Sequence, residues 1–409
     1  MVTYHVATDG NNANDGLSRA NAFRSPKAVV DIAASGSEAL LYYDPATDIE
    51  FTEGVELTID NSLIFVGVDS AGVRADDVLT NGANTLWNKD EQPTIIWTGS
   101  FTGRCVEPQT GDRFTAHGIT FHGSGTAVAC VTNTATTSEI RLYDCILRDP
   151  NNTASGNYPL AIMRSSDQAH RCFLIGGEHN LNIGTAATAS FCILSGSNDE
   201  SILLSNGLVQ AYIENCLIMY GNADGGSTND QFVAEGTGQN IKNCIAYNNQ
   251  SQYGWDITTQ TGADYLNAWT TNSGSFHTVG PYDGSPGANH ISSDPQFINP
   301  ITDGDYRLAS TSELLTAGTS AGIVGTLTYD LQAITGDYPI GPYMGLPVMA
   351  WAFTEGSGSC NLIDSDFTIN TTGCRKRDYN KAVDAIPFGL ATPGPISLRQ
   401  RNTPYRLTR

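Results

Sequence analysis

The sequence predicts an all-β solenoid, and three observations predict it. A cysteine recurs in the same short apolar setting at Cys145, Cys172, Cys192, Cys216 and Cys244, at intervals of 27, 20, 24 and 28 residues. Each setting is a strand-length run rich in Ile, Leu, Phe and Tyr, set off by Gly, Asn, Ser and Thr. Only 15% of the residues are charged, few for a helical protein. A unit this short cannot bury its own apolar side, so successive units must stack on one another.

The residues around each cysteine set its direction. Asp144, Asn215 and Asn243 stand immediately before a cysteine, and Asp and Asn tolerate a left-handed backbone. A tight bend is expected there, with Leu142, Ile213 or Ile241 pointing inward before it and the cysteine pointing inward after it. Strand alternation then turns Leu147, Leu174, Leu194, Ile218 and Ala246 inward. The residues between, Ile146, Phe173, Ile193, Leu217 and Ile245, should form an apolar row on the outside. Soluble proteins rarely leave such a row bare, so loops or neighbouring subunits must cover it. These five residues are the candidates for an oligomer interface.

The first strand is expected near Tyr4, followed by the turn-rich "DGNNANDG" and then by a short helix. Ser25 serves as its N-cap, Pro26 as its first residue and Gly36 as its stop. The stacked cysteine units, this lead-in (4–36), "SDPQFINPITDGDYRLASTSELLTAG" (293–318) and "GDYPIGPYMG" (336–345) together resemble the right-handed parallel β-helix of the pectate-lyase-like superfamily. That resemblance covers about residues 3–345. It implies a helix covering the open end of the core and an exit segment, and places the β-helix proper at 41–346 behind an N-terminal strand and capping helix at 1–40. Related chains often end in Ile-Gly-Ala-Tyr-Glu, whereas here the sequence is Ile340-Gly341-Pro342-Tyr343-Met344.

Residues 347–409 differ in charge. They carry eight Lys and Arg against five acids, net +3, while the rest of the chain has thirteen against thirty-seven, net −24. This asymmetry marks a boundary and a small C-terminal extension for attachment or oligomerisation. Arg375, Lys376, Arg377, Arg399, Arg401 and Arg406 are the candidates to meet an acidic partner. "WAFTEGSGS" (351–359) is similar to the first strand of laminin-G-like lectin domains, but about sixty residues do not make that jelly roll.

A whole-chain charge of −21 disfavours nucleic acid and anionic membrane as partners. No signal-peptide pattern follows Met1, and no apolar run approaches a membrane span. Nine cysteines without zinc spacing are expected to be mostly free, buried thiols, with Cys360 and Cys374 the pair to test for a disulfide.

The resemblance implies that an enzyme on this fold would be a polysaccharide lyase or glycosidase, with acids holding calcium or doing acid–base work. Asp149, Asp167, Glu178, Asp199, Glu200, Asp224, Asp230 and Glu235 form no paired motif, so no catalytic residue is assigned. No cofactor is expected either; the calcium candidates are Asp9, Asn11 and Asp15, in a loop that Asx turns explain equally well. His117 and His122 lie five apart, on opposite faces if one strand holds both, which argues against a shared metal. "GTSAG" (318–322) matches the nucleophile-elbow pattern without its strand-to-helix setting. Tyr253, Trp255, Tyr265, Trp269 and Tyr282, among Gly, Ser and Thr, are candidates for sugar platforms or interface anchors.

Three function classes compete: a virion structural protein, a receptor-binding tailspike or polysaccharide lyase acting on an acidic glycan, and a surface adhesin or secreted enzyme. Free thiols and the missing export signal favour assembly inside a cell. The expectation is a homotrimeric decoration or spike protein on a virion surface, fixed to capsid or tail proteins by 347–409. Contact with a host-surface or environmental polysaccharide is its secondary expectation.

Overall fold

A computed structural model shows the fold. It describes residues 1–44, 51–77, 87–98, 104–123, 129–133, 137–148, 161–164, 166–177, 179–184, 186–197, 202–204, 211–219, 232–234, 240–247, 253–256, 263–269, 280–283, 288–299, 305–321, 323, 338–343, 351–355, 358–363 and 368–369. The chain divides into two compact units, Met1–Pro295 with Glu313–Met344 and Gln296–Ser312 with Gly345–Arg409.

The first unit is a right-handed parallel β-helix. Among the described residues sheet A has ten parallel strands, from Thr3–Val6 to Ala263–Asp264; sheet B has nine, from Phe51–Glu53 to Asn267–Trp269; sheet C has seven, from Leu57–Ile59 to Phe232–Ala234. From Ser37–Tyr42 to Phe232–Ala234 each coil contributes one strand to each sheet, so a coil there is a three-sided turn. One coil runs Glu139–Tyr143, Ile146–Arg148 and Ala161–Met163; the next runs Gln168–His170, Phe173–Ile175 and Leu181–Ile183. Ladder hydrogen bonds join like positions, as in Leu142↔Ala169 and Leu147↔Leu174.

The corner between sheets A and B is made as the sequence predicts. Asp144, Asn215 and Asn243 are left-handed, with φ of 55°, 52° and 55°. Arg171, Phe191 and Tyr265 hold the same position with φ of 54–55°, although their side chains do not favour it. All five repeat cysteines point inward and are 0–1% exposed. Each thiol lies within hydrogen-bonding reach of a carbonyl of the coil before and of the carbonyl two residues back. For Cys216 these are Ala189 at 3.7 Å and Glu214 at 3.3 Å. Burial pushes the thiols of Cys145, Cys172, Cys192 and Cys216 well above their ordinary range, so they are packing groups, not nucleophiles.

The core between the sheets is continuous. Near the N-terminus it holds an edge-to-face series, Phe65–Phe114 at 5.3 Å and Phe114–Phe121 at 6.2 Å. Such pairs add about 0.5–1.5 kcal/mol beyond their burial. Its open end is covered by α1 (Pro26–Val30), capped by Ser25 Oγ on Lys27 N, with Pro26 and Val29 buried. The helix is shorter than a stop at Gly36 implied, and Thr3–Val6 already pairs with Ser37–Tyr42 in sheet A. At the other end Ile291 bridges to Asn267, and Ser293 N donates to Asn267 Oδ1 at 2.9 Å.

Segments outside the three sheets pack on sheet A and on its corner with sheet B. The connection after Leu63–Val68 folds back on sheet A, where Leu40, Val66, Val68, Ala75 and Trp87 make a small second core. Gly118, at the corner with φ 60°, is a glycine for this reason: a Cβ there would lie 2.4 Å from the Trp87 ring. The exit segment lies on the same corner at the later coils. Asn215 Nδ2 donates to Pro339 O and Gly341 O at 2.9 and 3.1 Å, and Asn243 Nδ2 donates to Thr319 O at 2.7 Å.

The second unit contains an antiparallel hairpin, Phe297–Asn299 with Asp305–Leu308. Its C-terminal part holds three antiparallel strands, Trp351–Glu355, Gly358–Ile363 and Thr368–Ile369. Cys374 and the attachment candidates Arg375, Lys376, Arg377, Arg399, Arg401 and Arg406 lie outside the described residues.

Candidate functional site

Three clusters of chemically capable side chains stand out, each built by the coil register. On the outside of sheet A, strand pairing aligns His117, Tyr143 and His170. Their rings stack, at 4.8 Å between His117 and Tyr143 and 5.3 Å between Tyr143 and His170. Burial lowers both histidines to about 4, so they are neutral at pH 7. His117 Nδ1 has no hydrogen-bond partner among the described residues.

One residue along, at the corner, Asp144 is 2% exposed. Arg171 grips it with two bonds of 3.0 and 2.8 Å, and Lys89 Nζ approaches to 2.9 Å. Burial alone would raise the Asp144 carboxyl; Lys89 and Arg171 outweigh it and hold the carboxyl below its ordinary value. Gln92 Nε2 adds a bond to Asp144 O at 2.7 Å. These contacts tie the residue 69–92 connection to the solenoid. Every charge in the cluster is spent on another, which is the pattern of a structural network rather than of a reactive site.

The second cluster is a carboxyl pair at the first coils of sheet C. Glu56 hydrogen-bonds Glu107, whose Oε1 also receives Arg104 Nη1 at 2.6 Å. Burial, then the neighbouring carboxylate, pushes Glu56 up to about 7. Near neutral pH Glu56 is thus about half protonated, beside a second carboxyl that a guanidinium contacts.

The third is an open cleft of about 730 Å³ at the N-terminal end, between the lead-in loop and α1. Glu53 lines it and is 5% exposed. Its Oε1 accepts from Ser25 Oγ at 2.6 Å and Lys27 N at 3.1 Å.

The residues singled out from sequence fall differently. Trp255 is 1% exposed and donates Nε1–H to Asn267 O at 3.0 Å, so it is a core residue and not a sugar platform. Tyr265 occupies the last corner and is half-buried, as is Trp269 in sheet B. Tyr253 and Tyr282 lie on two paired strands, Tyr253–Asp256 and Gly280–Asp283. Of the outer row, Ile193, Leu217 and Ile245 are 2%, 0% and 0% exposed within one chain, which removes them as candidates for an interface between copies. The exit segment supplies cover: a Cβ on Gly341 would lie 2.6 Å from Ile245 Cδ1. Ile146 and Phe173 remain half-buried.

In the loop proposed for calcium one oxygen of each candidate is used internally. Asp9 pairs with Arg19 at 2.9 Å, and Asn11 and Asp15 each close an Asx turn, on Ala13 N and Leu17 N. Among the described residues no group of three or more His, Cys, Asp or Glu is placed to hold a metal. His117 and His122 belong to different sheets, with the Gly118 corner between them, rather than to two faces of one strand. Asp167 is fully buried and accepts from Asn133, Ile140 N and Arg164 N, so it organises a turn; the other seven acids weighed with it are outside the described residues. Ser320 sits in a turn, as Ile323 N donates to its carbonyl at 3.3 Å.

Glu56, Glu107, Arg171 and Lys89 were not signalled by any motif. The one sequence trace of Arg171 is its position: a long charged side chain stands where three other units place Asn or Asp.

No protein-family model matches the sequence, and no curated protein matches it. Among solved structures the chain is similar to pectate lyase Pel9A, with a TM-score of 0.50 at 13% identity over 84% of this chain and 96% of that one. It is also similar to a rhamnogalacturonan lyase, TM-score 0.40, 11% identity, 73% and 91% covered. A third is ORF18 of Geobacillus virus E2, TM-score 0.34, 9% identity, 65% and 55% covered. These likenesses concern the fold, which the chain shares with pectate-lyase-like β-helices.

Proposed function

We propose that the protein is a structural component of a virus particle, a β-helical decoration or spike protein held to capsid or tail proteins by residues 347–409. The observation that carries this reading is the charge division: a body of −24 joined to a terminal segment of +3. A basic segment joined to an acidic body favours docking to an acidic partner surface. Support also comes from the described charges of the solenoid, of which Asp144, Asp167, Arg171 and Glu38 are locked into internal networks. Self-association as a trimer belongs to the same reading, with Ile146 and Phe173 as the half-buried remainder of the outer row. Glycan contact by Tyr253, Tyr265, Trp269 and Tyr282 is its secondary part.

The test is pelleting with purified virions. The full chain is expected in the pellet and a chain ending at Met344 in the supernatant; equal pelleting of both removes the anchor.

A second reading, a polysaccharide lyase or glycoside hydrolase, is favoured by one observation, the Glu56–Glu107–Arg104 cluster. It requires new unsaturated or reducing ends when the protein is incubated with an acidic polysaccharide, and their loss in Glu56→Gln.

A further inference from the structure

The N-terminal end of the solenoid carries an unusual concentration of exposed apolar side chains. Among the described residues the exposed large hydrophobics are Met1, Val2, Leu17, Ile32 and Val55, at 89%, 39%, 57%, 54% and 51%. All belong to the lead-in, the capping helix or the first coil. Leu17 and Ile32 flank the 730 Å³ cleft directly.

The cleft is also acidic. Asp15, Asp31 and Glu53 line it against a single cation, Lys27, which is already paired with Asp31. Glu53, 5% exposed, caps α1 through Oε1. The occupant that satisfies all of this brings a cation with apolar neighbours.

One such segment is in this chain. Residues 396–409, "ISLRQRNTPYRLTR", hold Arg399, Arg401, Arg406 and Arg409 with no acid, interleaved with Ile396, Leu398, Tyr405 and Leu407. We infer that the N-terminal cleft docks the basic, apolar C-terminal segment of a second copy, with an arginine reaching Glu53 and the aliphatic side chains covering Leu17 and Ile32. A guanidinium suits a carboxylate in a partly buried site better than an ammonium does. The contact is heterologous, so it builds species larger than a pair, as a ring or as a filament. A copy already attached to a particle by its own segment still offers its cleft to another.

Sedimentation of the full chain across protein concentration and salt tests this. Beyond any limiting oligomer, larger species should appear with concentration and recede with salt. Glu53→Gln with Asp15→Asn keeps both Asx and cap acceptors and is expected to weaken that step roughly tenfold. Replacing Arg399, Arg401 and Arg406 by Gln should do the same, and combining the two sets should add little, because both remove one contact. Leu17→Ser is an independent second probe, and a synthetic 396–409 peptide should compete. Additive effects, indifference to Glu53 and Asp15 in variants with unchanged melting, or the absence of any larger species would each overturn the inference. A trimer that persists while the larger species vanish separates this contact from the trimer reading.

Discussion

Asn215→Ala is the most informative single change. Asn215 is fully buried, left-handed, and holds the exit segment through two side-chain bonds to Pro339 O and Gly341 O. Losing two such bonds costs about 0.5–1.5 kcal/mol each, and a left-handed alanine adds about 1 kcal/mol. The expected loss is therefore about 2–4 kcal/mol, read as a lower urea midpoint. Asn215→Gly removes the same bonds but accepts φ of 52° without strain, so it should fall short of the alanine loss by about 1 kcal/mol. Amide exchange gives the local readout. Gly341 N donates to Asn243 O and Ile340 N to Leu314 O, and both amides should exchange faster in either variant. If Asn215→Ala stays within about 0.5 kcal/mol of the parent and exchange at 338–343 is unchanged, the exit segment is not held this way.

Other expectations follow from the same contacts. The seven thiols of Cys105, Cys130, Cys145, Cys172, Cys192, Cys216 and Cys244 are buried; peptide mapping after alkylation should find them unmodified in the native protein and modified in urea. Arg171→Met leaves Asp144 buried with Lys89 as its remaining cation and should cost about 3–5 kcal/mol, most of it recovered by adding Asp144→Asn. His117 and His170 titrate near 4 in the fold and near 6.5 when unfolded. The unfolded chain thus binds more protons between those values, and stability should fall as pH drops from about 6.5 to 4. Replacing both histidines by Phe should flatten that slope in urea titrations at successive pH values. Glu56 acts in the opposite sense. Its pKa is raised to about 7, so the folded state keeps a proton that the unfolded state has lost, and stability falls as pH rises from about 4.5 to 7. Glu56→Gln should remove that decline.

What the sequence disclosed was local in kind. Asn215-Cys216 and Asn243-Cys244 carry their own turn chemistry, and a left-handed Asn followed by an inward thiol is a property of neighbouring residues. The third sheet was not legible, because strands such as Ala161–Met163 and Ile202–Leu204 are three residues long and lie within polar intervals of variable length. Three residues show no periodicity that separates a strand from a loop. The cover over Ile245 was illegible for another reason. Asn215 and Pro339 are 124 residues apart, and nothing in either stretch names the other. Trp255 illustrates a failure of composition: an aromatic among Gly, Ser and Thr reads as a surface platform, yet its indole N–H found Asn267 O and the ring found the core. The carboxyl pair of Glu56 and Glu107 likewise exists only because the strands Leu57–Ile59 and Arg104–Pro108 are adjacent in sheet C.

The most direct measurement of the functional claim is particle attachment by the full chain in which Arg399, Arg401 and Arg406 are changed to Glu. That chain keeps the whole solenoid and reverses three charges of the terminal segment. At moderate salt it should remain in the supernatant while the parent pellets with virions, and raising the salt should release the parent. Pelleting of the reversed chain at the parent's level and salt dependence would contradict attachment through residues 347–409.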